Sequence, residues 1–216
     1  MRRLTLAALL AGTAAFAWIS PANAIVSLTV LDGITPVPLA CVSTVGSETC
    51  TGSNADFSVI SATVTGSPNI PAPDLGLIDL DVESAVGGTH TLTITGSQSG
   101  ISVPGPTATT TTDTFNGLAG GPGPVSYEMI VDGATINSAA LGPASGVLTA
   151  QFNDLFNGTI TTNQQIIKET FTAANQDLEA TMEFVAAAVP EPASMTLIGS
   201  ALLGLGWFIR RRRKTL

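Results

Sequence analysis

Apolar side chains alternate with threonine, serine or acidic side chains through much of the segment between residues 25 and 188. The alternation is clearest in residues 89–95, 125–131 and 178–186. Successive side chains of a strand point to opposite faces, so this period of two predicts antiparallel strands with one solvent-exposed face. Similar runs lie at residues 26–30, 57–65, 75–82, 147–152 and 164–173. With Gly-Pro breaks between them, about eight or nine strands are expected, which favours an all-β antiparallel sandwich.

Residues 163–184 are the segment of this domain with a competing helical interpretation. Ile166, Ile167 and Phe171 are β-branched or aromatic, and such side chains prefer strands. We therefore predict two strands joined through residues 174–177 as a hairpin.

The first 24 residues have the pattern of a cleaved secretory signal peptide. Two arginines precede an apolar run over residues 4–19, and the small-residue sequence Ala22–Ala24 follows. A basic start, an apolar middle and a small-residue cleavage site are typical of such signals. We predict that residues 1–24 are removed and that the mature chain begins at Ile25.

The other end of the chain predicts a membrane span. Residues 193–209 are uncharged, and as a helix they would extend roughly 25 Å, close to the ~30 Å hydrocarbon core of a bilayer. Five consecutive cations follow the run, namely Arg210, Arg211, Arg212, Arg213 and Lys214. Cations beside a span favour the cytoplasmic side. We therefore predict one transmembrane helix at 193–209, a cytoplasmic anchor at 210–214, and the bulk of the chain outside.

The sequence Val189-Pro190-Glu191-Pro192 stands directly before this apolar run. In their order, the three parts resemble the PEP-CTERM sorting tail of exported proteins of Gram-negative bacteria. The resemblance implies that an exosortase, a membrane-embedded cysteine protease, recognises and cleaves the tail. It also implies an association with exopolysaccharide secretion.

These features divide the chain into a signal peptide (1–24), an exported domain (25–188) and a sorting tail (189–216). The expected route is export across the inner membrane, transient anchoring by the tail, and arrival at the cell surface or in the extracellular matrix.

The exported domain is strongly acidic, although the whole chain has a net charge of −8 at pH 7. Lys168 is its one cation against fifteen acidic residues, and one minus fifteen gives −14. Nucleic acids and anionic membrane surfaces are bound through lysine and arginine. We therefore expect no nucleic-acid partner.

Cys41 and Cys50 are the two cysteines of the chain. An even number of cysteines in an exported protein predicts a disulfide. Its loop of about ten residues would contribute roughly 2.5–3 kcal/mol by the chain-entropy relation.

Asp79, Asp81 and Glu83 are two residues apart, so on a strand their carboxylates share one face. Calcium prefers such oxygen ligands. Neighbouring carboxylates on a strand are about 7 Å apart, so one ion would need ligands from a loop as well. A solvated strand face is the simpler interpretation of this acidic row, and a calcium site is the alternative. No other cofactor is expected.

His90 is the only histidine. The alternation places it on the apolar face with Leu92 and Ile94, or at the mouth of a strand beside Gly87-Gly88. One histidine and a disulfide do not supply a zinc site, and a Gly-x-Ser-x-Gly nucleophile motif is absent. We therefore expect a non-enzymatic, structural or adhesive role in the envelope or exopolysaccharide matrix. Two alternatives remain: a calcium-dependent glycan-binding module, and a secreted hydrolase that uses His90 or the acidic row.

Overall fold

The computed structural model describes residues 25–66, 74–119, 123–142, 146–189, 199–203 and 205. These residues form 13 strands in two antiparallel sheets. The strands are β1 (Ile25–Asp32), β2 (Thr35–Pro36), β3 (Ala40–Thr44), β4 (Ser47–Gly52), β5 (Phe57–Gly66), β6 (Asp74–Ser84), β7 (His90–Val103), β8 (Thr107–Ala119), β9 (Val125–Val131), β10 (Ala134–Leu141), β11 (Gly146–Phe156), β12 (Ile160–Phe171) and β13 (Asp177–Ala188).

The strands are arranged as a sandwich. One sheet has six strands in the order β10-β9-β12-β7-β1-β2, and the other has seven in the order β11-β8-β13-β6-β5-β4-β3. The predicted all-β sandwich class is confirmed. The predicted eight or nine strands are too few, because five strands have weak or no apolar alternation.

The core lies between the sheets and follows the period of two. In β6, Ile78, Leu80 and Val82 are buried, while the residues between them face outward. Phe57 and Phe171 join the two sheets, since their rings meet edge to face with centroids 5.3 Å apart. Such aromatic pairs contribute about 0.5–1.5 kcal/mol beyond the area they bury.

Residues 163–184 are extended, as predicted, but they do not form a hairpin. β12 belongs to the six-stranded sheet and β13 to the seven-stranded sheet, so residues 172–176 cross between the layers. The buried Gln176 fixes this crossing, because its Oε1 accepts hydrogen bonds from the N–H groups of Thr172 (2.6 Å) and Ala173 (2.9 Å). The hairpin prediction was wrong because alternation does not specify which sheet a strand joins.

The predicted disulfide is confirmed and lies on a hairpin. Cys41 of β3 and Cys50 of β4 are directly opposite each other in the strand register and are bonded. The bond ties the edge strand β3 to the rest of the seven-stranded sheet.

The sandwich has two distinct ends. Ile25 pairs with Ser99 of β7, and Ala188 pairs with Thr107 of β8. A turn at residues 104–106 joins β7 to β8, so β1 begins near the end of the sandwich at which β13 finishes. We call this the tail end, and the opposite end, where β7 begins, the His90 end.

Two predicted segments, the signal peptide and the transmembrane helix, fall mostly on residues that the structure does not describe. The signal peptide (1–24) lies outside the described residues. Within the predicted span 193–209, residues 199–203 and 205 are described and are helical. In the part of the chain that the structure covers, no helix is long and apolar enough to cross a membrane.

Candidate functional site

The predicted sorting tail is attached directly to the last strand of the sandwich. Ala188 completes β13, and the Val189 N–H donates a 2.8 Å hydrogen bond to the carbonyl of Pro106. Pro190 follows immediately, and proline has no N–H with which to extend such pairing. The tail is therefore joined to a folded strand without an intervening linker.

The other tail residues predicted to act in sorting lie outside the described residues. They are Pro190, Glu191, Pro192, Arg210, Arg211, Arg212, Arg213 and Lys214.

The acidic row of β6 shares one outward face, as its spacing predicts. Asp81 lies opposite Glu179 of β13, and Glu83 lies opposite Asp177. Like charges directly opposite each other in a sheet are destabilising. Burial, followed by the charges of Asp177 and Glu179, raises the pKa of Asp81 above its ordinary value. The seven-stranded sheet thus carries a crowded acidic stripe along β6 and β13.

An open groove of about 530 Å³ follows this stripe. Asp79, Asp81 and Glu179 line it together with Asn116 and several threonine and serine hydroxyls. The amide of Asn116 donates a 3.0 Å hydrogen bond to Glu179 Oε2. Carboxylates, amides and hydroxyls can bind a polar ligand or a hard cation.

The structure does not bring the predicted calcium ligands into one compact set. Across the described residues, the only group of three candidate ligand atoms within 4.8 Å of one another comes from Cys41, Glu48 and Cys50. Both of its sulfur atoms are in the disulfide, so this group is not a metal site. A cation at the acidic row would therefore need rearrangement or ligands from outside the protein.

His90 lies at the mouth of the sandwich beside an acidic pair. Its Nδ1 is 3.2 Å from Asp56 Oδ2, and its Nε2 is 3.5 Å from the carbonyl oxygen of Gly87. Asp32 lies next to Asp56 and accepts a 2.8 Å hydrogen bond from Asn54. Burial raises the pKa of Asp32, and the hydrogen bond from Asn54 partly offsets that rise.

A catalytic triad needs a hydroxyl or thiol nucleophile against the second imidazole nitrogen. In His90 that nitrogen faces a backbone carbonyl. The ring also packs edge-on against Phe57, with centroids 6.4 Å apart. These contacts orient His90 within the fold.

Two interior carboxylates were not singled out by the sequence. Asp113 of β8 and Glu169 of β12 are both 0 % exposed, and their oxygens have no hydrogen-bond partner among the described residues. Strand alternation could have placed both carboxylates on the inward face, because Asp113 is two residues from Phe115 and Glu169 is two residues from Ile167 and Phe171. Both therefore occupy inward-facing positions.

Burial controls the ionisation of both carboxyls. It raises the pKa of Asp113 to about 7. It also raises the pKa of Glu169 well above the ordinary range, with a further contribution from the charge of Asp81. Desolvation disfavours the charged form of a carboxyl group. Burial therefore favours the protonated, neutral form of both Asp113 and Glu169.

Tyr127 and Asn137 place further polar groups in this interior. The Tyr127 hydroxyl donates a 2.9 Å hydrogen bond to the carbonyl of Thr114. The Asn137 amide donates a 2.6 Å hydrogen bond to Thr111 Oγ1. These bonds link the six-stranded sheet to β8 and hold the layers in a fixed alignment.

Residues 188–213 match the family model of the PEP-CTERM protein-sorting motif. The chain carries a PEP-CTERM sorting motif. The match begins at Ala188 and includes Val189, Pro190, Glu191, Pro192 and four of the terminal cations. The predicted resemblance is confirmed. A PEP-CTERM motif implies export, membrane-anchored sorting and processing by exosortase, a membrane protein.

No curated protein matches the chain. Among solved structures, it is similar to TmCBM61 in complex with β-1,4-galactotriose, with a TM-score of 0.37, 8% identity, and coverage of 59% of this chain and 88% of that one. It is also similar to the family 11 carbohydrate-binding module from Clostridium thermocellum, in complex with a β-1,3-1,4-mixed-linked tetrasaccharide (TM-score 0.31, 10% identity, coverage 76% and 98%).

A third similar structure is the enzymatically active domain of the bacteriophage CBA120 tailspike protein 4. Its TM-score is 0.32 at 9% identity, and the alignment covers 78% of this chain and 20% of that one. All three likenesses are distant, and neither the fold nor the function described for this chain rests on them.

Proposed function

We propose that this protein is an exosortase substrate whose sandwich has a non-enzymatic, structural or adhesive role at the cell surface or in the exopolysaccharide matrix. The tail holds the exported chain in the inner membrane, and cleavage near Glu191 releases the sandwich. The observation that carries the proposal is the sorting motif joined to the final strand.

Features of the sandwich support a role outside the cell. The domain has a net charge of one minus fifteen, or −14, which favours solubility. The Cys41–Cys50 disulfide persists in an oxidising compartment. The contacts of His90, with a carboxylate on one nitrogen and a backbone carbonyl on the other, support an orienting role.

The test compares two glutamate variants of the full chain in a host that contains exosortase. Glu191→Ala removes the acidic centre of the motif, whereas Glu183→Ala removes an exposed glutamate of β13 and serves as the matched control. We expect Glu191→Ala to remain in the membrane fraction with its tail intact. We expect the control to be cleaved and released as the unmodified chain is.

Mass spectrometry of the released protein reports both termini and the disulfide together. Cleavage and release of the Glu191→Ala variant at the normal rate would contradict the proposal.

A second candidate function, calcium-dependent glycan binding, is favoured by the groove along the acidic stripe. A cation would relieve the repulsion between Asp81 and Glu179 and could also hold sugar hydroxyls. We expect added calcium to raise the melting temperature of the unmodified chain and of the control Asp154→Asn, but not of Asp81→Asn. An unchanged melting temperature in the unmodified chain would exclude this candidate.

A further inference from the structure

In the described part of the chain, the other sheet edges are short, irregular or partly capped. β2 has two residues and covers only the end of β1, whose Leu28 N–H is instead bonded to Glu48 Oε2 (2.6 Å). β3 has five residues and is tied to β4 by the disulfide, and β10 has a bulge between Thr135 and Asn137. Short strands and bulges are common ways to protect an edge. β11 differs, because its 11 residues pair with β8 in an unbroken register.

The outer edge of β11 is open in the described part of the chain, where β8 is its one neighbour in the sheet. The strand contains no proline, lysine or arginine, and Asp154 is its one charged residue. Val147 and Leu155 on its outer face are 65% and 60% exposed. A long, regular and nearly uncharged edge strand is a template for pairing.

We propose that β11 pairs with β11 of a second copy of this chain, antiparallel about a two-fold axis through Gln151. In that register Thr149 lies opposite Asn153 of the other copy, and Val147 lies opposite Leu155. Each cross-strand pair on the outer face then joins groups of the same character: amide with amide, hydroxyl with amide, and apolar with apolar.

The inward positions of β11 also complement themselves in this register. Ala150 lies opposite Phe152, and Gly146 lies opposite Phe156, so a small residue faces a large one in both pairs. The half-buried Leu148 lies opposite Asp154, whose side chain is exposed and can remain in water. The strand therefore matches its own copy at every outward pair and at two of its three inward pairs, and a two-fold interface requires such self-complementarity.

The charge distribution permits this pairing despite the acidity of the domain. The carboxylates of the outer face are concentrated on β6 and β13, whereas the outward residues of the intervening β8 are uncharged. In the joined sheet, five strand spacings separate β13 from its copy, about 24 Å at ~4.8 Å each. That separation exceeds the Debye length of about 8–10 Å in physiological salt. The two acidic stripes are thus largely screened from each other.

The proposed pairing through β11 does not depend on the sorting motif. Disulfide cross-linking of the full chain in detergent tests this pairing. Gln151→Cys places a thiol on the two-fold axis and should form a covalent dimer on oxidation. Thr112→Cys is the matched control, because it lies on the same outer face but one strand inward, on β8. The control should stay uncross-linked.

The register has its own test. Thr149→Cys alone should not cross-link, since Thr149 would lie about 14 Å from its own copy. A mixture of Thr149→Cys and Asn153→Cys chains should cross-link efficiently. Cross-linking of Gln151→Cys no greater than that of Thr112→Cys would overturn the proposal, as would efficient cross-linking of Thr149→Cys with itself.

A charge substitution tests the same contact without cysteines. Gln151→Lys places two lysines directly opposite each other and should weaken dimerisation about tenfold in sedimentation experiments. Thr112→Lys should leave dimerisation unchanged. A monomeric unmodified chain, or an unchanged dimer in Gln151→Lys, would refute pairing through β11.

Discussion

The buried carboxyl of Asp113 should make the protein less stable in mildly alkaline than in mildly acidic solution. In the folded state its pKa is raised by burial from 3.8 to about 7. The folded protein therefore retains a proton that the unfolded chain releases at a lower pH. The stabilisation by the neutral form is complete below pH 4 and is lost as the pH rises to about 7.

The size of the effect follows from the two pKa values. At about 1.4 kcal/mol for each pH unit, a rise from 3.8 to about 7 corresponds to about 4 kcal/mol of unfolding free energy. Asp113→Asn keeps the shape and polarity of the neutral side chain but cannot ionise. It should match the unmodified protein near pH 4 and exceed it by up to about 4 kcal/mol at pH 8.

The assay is urea unfolding of both proteins at several pH values between 4 and 8. Glu169 and Asp81 also have raised pKa values, so the unmodified curve contains their contributions as well. The difference between the two curves isolates Asp113. Asp154→Asn, which alters an exposed carboxylate of the neighbouring strand, is the control and should leave the slope unchanged. A difference curve that stays flat across this range would refute the argument.

Two further predictions concern fold stability, and urea unfolding measures both. Replacing Cys41 and Cys50 together by serine should lower the free energy of unfolding by about 2.5–3 kcal/mol, and no loss would contradict a role for the disulfide in constraining the unfolded chain. Gly123→Ala should cost about 1–3 kcal/mol, because a Cβ there would clash with the backbone carbonyl oxygen of Thr170. The control Gly87→Ala, whose nearest atom would be 3.9 Å away, should change stability by less than about 0.5 kcal/mol.

The strands found from the sequence were those with one apolar face. β6, β9 and β13 all alternate, and their apolar residues are buried as predicted. β8 was missed because its inward positions, Thr107, Thr109, Thr111 and Asp113, are polar and give no apolar signal. β2 and β3 are exposed along their lengths, so burial imposes no pattern on them.

The candidate functional sites also differed in how far the sequence alone could predict them. The sorting motif is a continuous stretch of chain, so its residues could be identified without coordinates. The interior carboxyls and the contact between His90 and Asp56 depend on how distant strands are placed. Sequence spacing gave the shared face of Asp79 and Asp81 correctly. It could not show that Glu179 of another strand faces them.

The sorting motif begins at Ala188, so it leaves the sandwich at the tail end, beside the turn at residues 104–106. The 14 residues of β7 extend about 45 Å at ~3.3 Å per residue. His90 and its contact with Asp56 are thus held about one strand length away from the residue at which the sorting motif begins.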